Sequence, residues 1–101
     1  MTKKIADIRH IKATLKKFRH LIRKKYKAEI TGVFGSYSRG EQKEGSDLDV
    51  LVKFHEGAML FDFIDLADYL EDELDIKVDV VSERAVRPEI KEEIYRDVIR
   101  L

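Results

Sequence analysis

The sequence predicts an α/β (α+β) domain in which a small mixed sheet of three strands is covered by helices. Stretches with apolar residues at three- and four-residue steps alternate with short runs rich in β-formers, the order expected of helices packed on a sheet. The length of 101 residues suits one domain spanning 1–101 with one core. A hydrophobic fraction of 44% is ordinary for a globular chain, so the charged fraction of 40% must coat its surface.

Ile5, Ile8, Ile11, Leu15, Phe18, Ile22 and Tyr26 recur at helical spacing, which predicts one amphipathic helix from Thr2 to about Lys27. Glu29 to Gly35 carries Ile30, Val33 and Phe34 and ends in glycine, as suits a strand entering a tight turn. Leu48 to Phe54 reads as a second strand, with Leu48, Val50, Val52 and Phe54 on one face and Asp49, Leu51 and Lys53 on the other. After a turn at Glu56-Gly57, a helical stripe of Leu60, Phe61, Phe63, Ile64, Ala67, Leu70 and Leu74 follows, its acids mostly on the outer face. Lys77 to Ser82 is a third short strand. Pro88 suits the first turn of a last helix, whose stripe is Ile90, Ile94, Val98 and Leu101.

The net charge is zero, but residues 1 to 27 hold eleven Lys or Arg against Asp7 alone. Between His55 and Asp79 nine acids face only Lys77. A basic end of this kind serves as a solvated helix face, as a docking surface for an acidic protein, or as a nucleic-acid patch. With no cysteine in the chain, disulfides, thiolate metal sites and cysteine nucleophiles are excluded. No apolar run approaches the length of a membrane span and no signal-peptide pattern is present, so the cytoplasm is the expected location and no membrane partner is expected. His10, His20 and His55 share no metal-ligand spacing with a carboxylate and read as surface residues.

The chemistry concentrates between Val33 and Val52. Asp47 and Asp49 stand two apart at the start of a strand and project from one face. Two like charges at about 4 Å repel by roughly 4 kcal/mol at an effective dielectric of 20. No lysine or arginine separates them, so the pair wants a cation. Asp79 is the only acid in an otherwise apolar strand, where a buried carboxylate needs a partner or a metal. If the third strand lies beside the second, Asp79 joins the pair. Three carboxylates without histidine or cysteine form a hard-oxygen site suited to magnesium or manganese, with substrate phosphates and water completing the coordination. The Gly35-Ser36 turn lets backbone N–H groups approach phosphate oxygens, and Ser36 adds a hydroxyl. Metal plus phosphate cradle points to a nucleotide.

Together, Gly35-Ser36-x-x-Arg39-Gly40, Ser46-Asp47-x-Asp49 and the later Asp79 resemble the signature of the minimal nucleotidyltransferases, small members of the DNA polymerase β-like superfamily. The resemblance covers about residues 28 to 82 closely. It implies the nucleotidyltransferase fold, two magnesium ions on Asp47 and Asp49, and an Asp79 that completes the triad and activates the acceptor hydroxyl. Gly35, Ser36, Arg39 and Ser46 would be the nucleotide-binding positions, with Arg39 either touching phosphate or bracing the loop. Tyr37 and Ser38 fill positions to which no function is attached. The implied reaction is in-line attack on the α-phosphate of ATP, one metal activating the nucleophile and the other stabilising pyrophosphate. The family's minimal members are typically antitoxins paired with HEPN-domain ribonuclease toxins, which they neutralise by AMP transfer to a tyrosine, so a hetero-oligomer with such a partner is expected. The rival readings are an interaction module that neutralises by binding alone and a nucleic-acid-binding module acting through the basic helix.

Overall fold

A computed structural model describes residues 7–101. The Asp7 carboxylate caps the first helix, α1 (Ile8–Lys17), by accepting from the N–H groups of Arg9 at 2.7 Å and His10 at 3.1 Å. Those bonds favour the ionised form, so its pKa lies below the usual carboxylate range. The part of the expected helix before Asp7 lies outside the described residues. Its remainder is not one helix: Phe18 (φ −97°, ψ 11°) separates α1 from α2 (Arg19–Tyr26). The Phe18 ring stands edge-on to Tyr69, with centroids 5.8 Å apart. Periodicity alone does not reveal such a break, because the apolar spacing runs through it.

Lys27 ends α2 in the left-handed region (φ 53°, ψ 44°), a conformation costly for a residue with a Cβ. It is held there from outside the helix: its carbonyl accepts from the His55 N–H at 2.8 Å, and its Nζ donates to the Gly57 carbonyl at 3.2 Å. The chain then enters β1 (Ala28–Phe34), a short helix α3 (Ser36–Arg39), β2 (Leu48–Phe54), α4 (Leu60–Leu74) and β3 (Val78–Ser82). A 3₁₀ turn (Glu83–Ala85) leads to α5 (Pro88–Asp97) and β4 (Ile99–Arg100). The sheet order is β3-β2-β1-β4, with β1 antiparallel to both β2 and β4 and β2 parallel to β3. The parallel pair is joined through α4, the crossover that parallel strands require. No helix among the described residues is long and apolar enough to cross a membrane.

The core joins the buried faces of α1, α2 and α4 to one face of the sheet. Ile11, Leu15, Ile22, Tyr26, Leu66, Leu70 and Leu74 pack with Val33, Leu48, Val50, Val52 and Val78. Leu51 is fully buried but lies outside that cluster, as strand alternation requires of the residue between Val50 and Val52. The expected stripe of α4 needs correction. Leu66, Leu70 and Leu74 form its buried arc, whereas Leu60, Phe61 and Ile64 are exposed. At about 100° per residue these two sets fall on adjacent arcs, and only one can face the sheet.

The sheet has four strands rather than three, because the expected last helix stops at Asp97. Val98 is extended (φ −66°, ψ 134°), and Ile99–Arg100 pairs with Gly32 and Val33 at the free edge of β1. Backbone groups at an open sheet edge favour such pairing over another helical turn. A bulge between Ile30 and Gly32 accompanies it, with the Thr31 hydroxyl donating to the Leu51 carbonyl at 3.2 Å. Gly32 permits the close approach: a Cβ there would come within 2.5 Å of Val98 Cγ2 and 3.1 Å of the Ile99 carbonyl oxygen. Gly32→Ala is therefore expected to destabilise the fold by about 1–3 kcal/mol through overpacking. Urea denaturation checks this, and an unchanged midpoint would show that β4 yields freely.

Candidate active site

The turn after β1 is wound around one carbonyl. Gly35 (φ 76°, ψ −151°) accepts at its oxygen from the Ser38 N–H at 3.1 Å, the Arg39 N–H at 3.3 Å and the Ser38 hydroxyl at 2.8 Å. This makes Ser36–Arg39 a short helix where the sequence suggested only a loop. Gly40, in the left-handed region, ends it, and the Ser36 carbonyl accepts from the Glu41 N–H at 2.9 Å. Only glycine serves at position 35, since a Cβ there would run into the Asp49 carboxylate and its backbone angles are rarely open to other residues.

Asp49 is the centre of the site. In the sheet it is the register partner of Phe34 on one side and Asp79 on the other, and neighbouring strands lie about 4.8 Å apart. Burial pushes its pKa up to about 6, the negative charges of Asp79 and Asp47 push the same way, and Arg39 opposes them. Asp47, one residue before β2, and Asp79 are both exposed. The expectation of a buried Asp79 is thus corrected: β3 is an edge strand, and Asp79 reaches water while Val78 beside it is buried. What joins the three acids is electrostatic proximity at the same end of β2 and β3.

The loop between α3 and β2 carries the remaining candidates. Arg39 pairs with Glu41 at 3.3 Å and with Asp97 at the end of α5 at 3.8 Å. The Ser46 hydroxyl accepts from the Lys43 N–H at 2.9 Å, while the Ser46 N–H donates to the Lys43 carbonyl at 2.9 Å. That reciprocal pair closes a turn immediately before Asp47. Ser36 is half-buried at the start of α3, next to Gly35.

Tyr37, to which the sequence attached no function, is a core residue beside the site. It is 2% exposed and part of the main core cluster. Burial and the neighbouring charge of Asp47 both push its phenol above the ordinary tyrosine range. An aromatic residue two positions after the turn glycine was the available signal, but only the helical winding of α3 turns it inward.

Among the described residues no three acidic or histidine side chains are gathered closely enough to hold a metal on their own. The donor set nevertheless suits magnesium, which usually takes one or two protein carboxylates and leaves its other positions to water and substrate phosphate. Asp47 and Asp49 supply two hard oxygen donors, and the charges of Asp79 and Asp47 add to burial in disfavouring the ionised Asp49, against the opposing charge of Arg39.

The family described as polymerase beta, nucleotidyltransferase matches residues 16–101. The chain is 45% identical over 93 residues to a Methanocaldococcus jannaschii protein provisionally named a protein adenylyltransferase, covering 91% of this chain and 95% of that one. To the protein adenylyltransferase MntA of Thermococcus cleftensis it is 38% identical over 92 residues, covering 91% and 93% respectively. A solved structure provisionally described as a minimal nucleotidyltransferase matches with a TM-score of 0.81 at 38% identity, covering 98% of this chain and 100% of that one. A crystal structure of a toxin–antitoxin with AMP-PNP matches with a TM-score of 0.68 at 25% identity, covering 85% and 70%. Sequence match, sheet topology and the Asp49 carboxylate against the Gly35 turn agree, and the chain belongs to the polymerase β-like nucleotidyltransferase family of enzymes as one of its minimal members.

Proposed function

We propose that this chain is an antitoxin that transfers AMP from ATP to a tyrosine of a HEPN-domain ribonuclease partner. The observation that carries the reading is the register pairing of Asp49 with Asp79 beside the glycine turn, in a chain 38% identical to a named protein adenylyltransferase. Each residue then has a task. The turn at Gly35 and Ser36 holds the triphosphate, because a missing side chain lets phosphate approach the backbone. Arg39 braces that turn through Asp97 and Glu41. Ser46 closes the turn before Asp47 and so fixes where that carboxylate starts.

Asp47 and Asp49 would hold magnesium, two ions in the full site, which would neutralise the triphosphate and polarise its α-phosphorus. Asp79, exposed at the sheet edge, can reach an incoming hydroxyl and accept its proton. A phenol with a pKa near about 10 needs that help at neutral pH. The tyrosyl oxygen forms a bond to the α-phosphorus, the bond to the β-phosphate oxygen breaks, pyrophosphate leaves, and the phenolic proton passes to Asp79.

Intact-mass spectrometry of the partner after incubation with this chain, ATP and magnesium tests the reading. The expected result is a gain of one or more AMP groups with the parent chain and none with Asp47→Asn. A partner that stays unmodified but is still neutralised would replace this reading with inhibition by binding alone.

A further inference from the structure

The start of α4 presents apolar side chains that stand exposed among the described residues. Met59, Leu60, Phe61 and Ile64 are 69, 72, 74 and 50% exposed. Leu60 and Ile64 are four residues apart, and Phe61 lies three before Ile64, so the three share one side of the helix. Along the same side toward the C-terminus the exposed residues become acidic, with Asp65, Asp68 and Asp72. Beside the patch, Phe54 and Phe63 stack at 4.0 Å and line a cavity of about 570 Å³ together with His55, Ala58, Ser82 and Arg84. His55 is not the plain surface residue its sequence context suggested: it is half-buried, and its Nε2 is buried without a hydrogen-bond partner.

We infer that the first turns of α4 and the cavity beside them are the docking surface for an amphipathic helix of the protein partner, apolar where it meets Leu60, Phe61 and Ile64 and basic where it meets Asp65, Asp68 and Asp72. The charge pattern selects this occupant. An acidic fringe repels anionic lipid and nucleic acid. A second copy docked about a two-fold axis would set the same acids against themselves or, with the two α4 helices antiparallel, leave them without a basic partner on the facing α4. A cationic helix gains on both counts, burying the apolar turn and pairing with the acids beyond it. The cavity offers room for one large anchoring side chain.

The surface also leaves the active end free. Phe54 lies five residues beyond Asp49 on β2, about 17 Å at the usual rise of about 3.3 Å per residue. A partner held there does not cover the carboxylates, and it can present a tyrosine from another of its segments.

The inference takes its partner from the proposed function, so its test keeps the two apart. The full chain is assayed for affinity to the co-expressed HEPN-domain protein, with binding of a non-hydrolysable ATP analogue and thermal melting as controls. Phe61→Glu and Leu60→Glu are expected to weaken the complex at least about 30-fold, as loss of an interface anchor does, with analogue binding and melting unchanged. Asp49→Asn is expected to keep the complex and lose transfer. Undiminished affinity in both patch variants overturns the inference, as does a parent chain with no affinity for that protein. A parent dimer that Phe61→Glu dissociates, or adsorption to anionic phospholipid vesicles that Phe61→Glu abolishes, also overturns it by giving the surface to another occupant. A partner captured through the patch that never gains AMP sustains the inference and defeats the catalytic reading.

Discussion

Asp49→Asn is expected to abolish AMP transfer and, in metal-free buffer, to leave a chain more stable than the parent. The loss of activity follows from its place between the glycine turn and Asp79: an amide matches the carboxylate in size but brings no charge to hold a cation. The gain in stability follows from linkage. In the folded chain Asp49 has a pKa of about 6, against an ordinary value of about 3.9, so folding favours its protonated form. That contribution is fully present below about pH 4 and is lost as the pH rises through about 6. At neutral pH the folded parent carries a half-buried negative charge beside two others, and the variant does not. A half-exposed carboxylate is screened by water, so the difference should be about 1 kcal/mol rather than the full linkage value. For a chain of this size that is a rise of about 4–8 °C in melting temperature. The gap between variant and parent should open between about pH 4 and 6 and persist above. Magnesium with ATP should raise the melting temperature of the parent and not of the variant. Transfer activity in Asp49→Asn would remove the acid from the assigned site.

Gly35→Ala is expected to cost both stability and activity, and Gly40→Ala to cost stability alone. Both glycines have positive φ, 76° and 71°, but their surroundings differ. A Cβ at Gly40 meets no atom within 4 Å, so alanine there incurs only the left-handed cost of about 1–2 kcal/mol. A Cβ at Gly35 runs into the Asp49 carboxylate. Alanine there adds backbone strain of about 1–3 kcal/mol and forces the carboxylate or the turn to move. Displacing a catalytic group by about 1 Å can reduce rate by about 100-fold. Transfer rates for the two variants, read beside their melting curves, check the contrast. Equal activity in both would mean that Asp49 does not need its present position against the turn.

Much of the working end was legible in one dimension, because its chemistry is written in short spacings. Gly35-Ser36 closes an apolar run, Asp47-x-Asp49 opens another, and strand alternation sets Asp49 apart from the core residues Leu48 and Val50. The bounds of β2, Leu48–Phe54, were those the sequence suggested. Those features depend on residues within a few positions of one another, where backbone geometry alone decides direction.

Tertiary packing decided the rest. Val98 and Leu101 extend a helical stripe by spacing, yet the helix stops at Asp97 and Ile99–Arg100 form a strand, because β1 offers an open edge and Gly32 lets the chain come close. Tyr37 looks like a loop residue yet is buried, because α3 winds around the Gly35 carbonyl. Asp79 looks like a buried carboxylate yet is exposed, because β3 took the edge of the sheet. Leu60, Phe61 and Ile64 look like core yet face outward, because α4 has room for only one arc against the strands. Local spacing alone was enough for the residue types of the candidate site and for the periods of its main elements. Which edge stayed open and which apolar arc was left uncovered were set by competition between distant surfaces for the same core, and local spacing does not encode that competition.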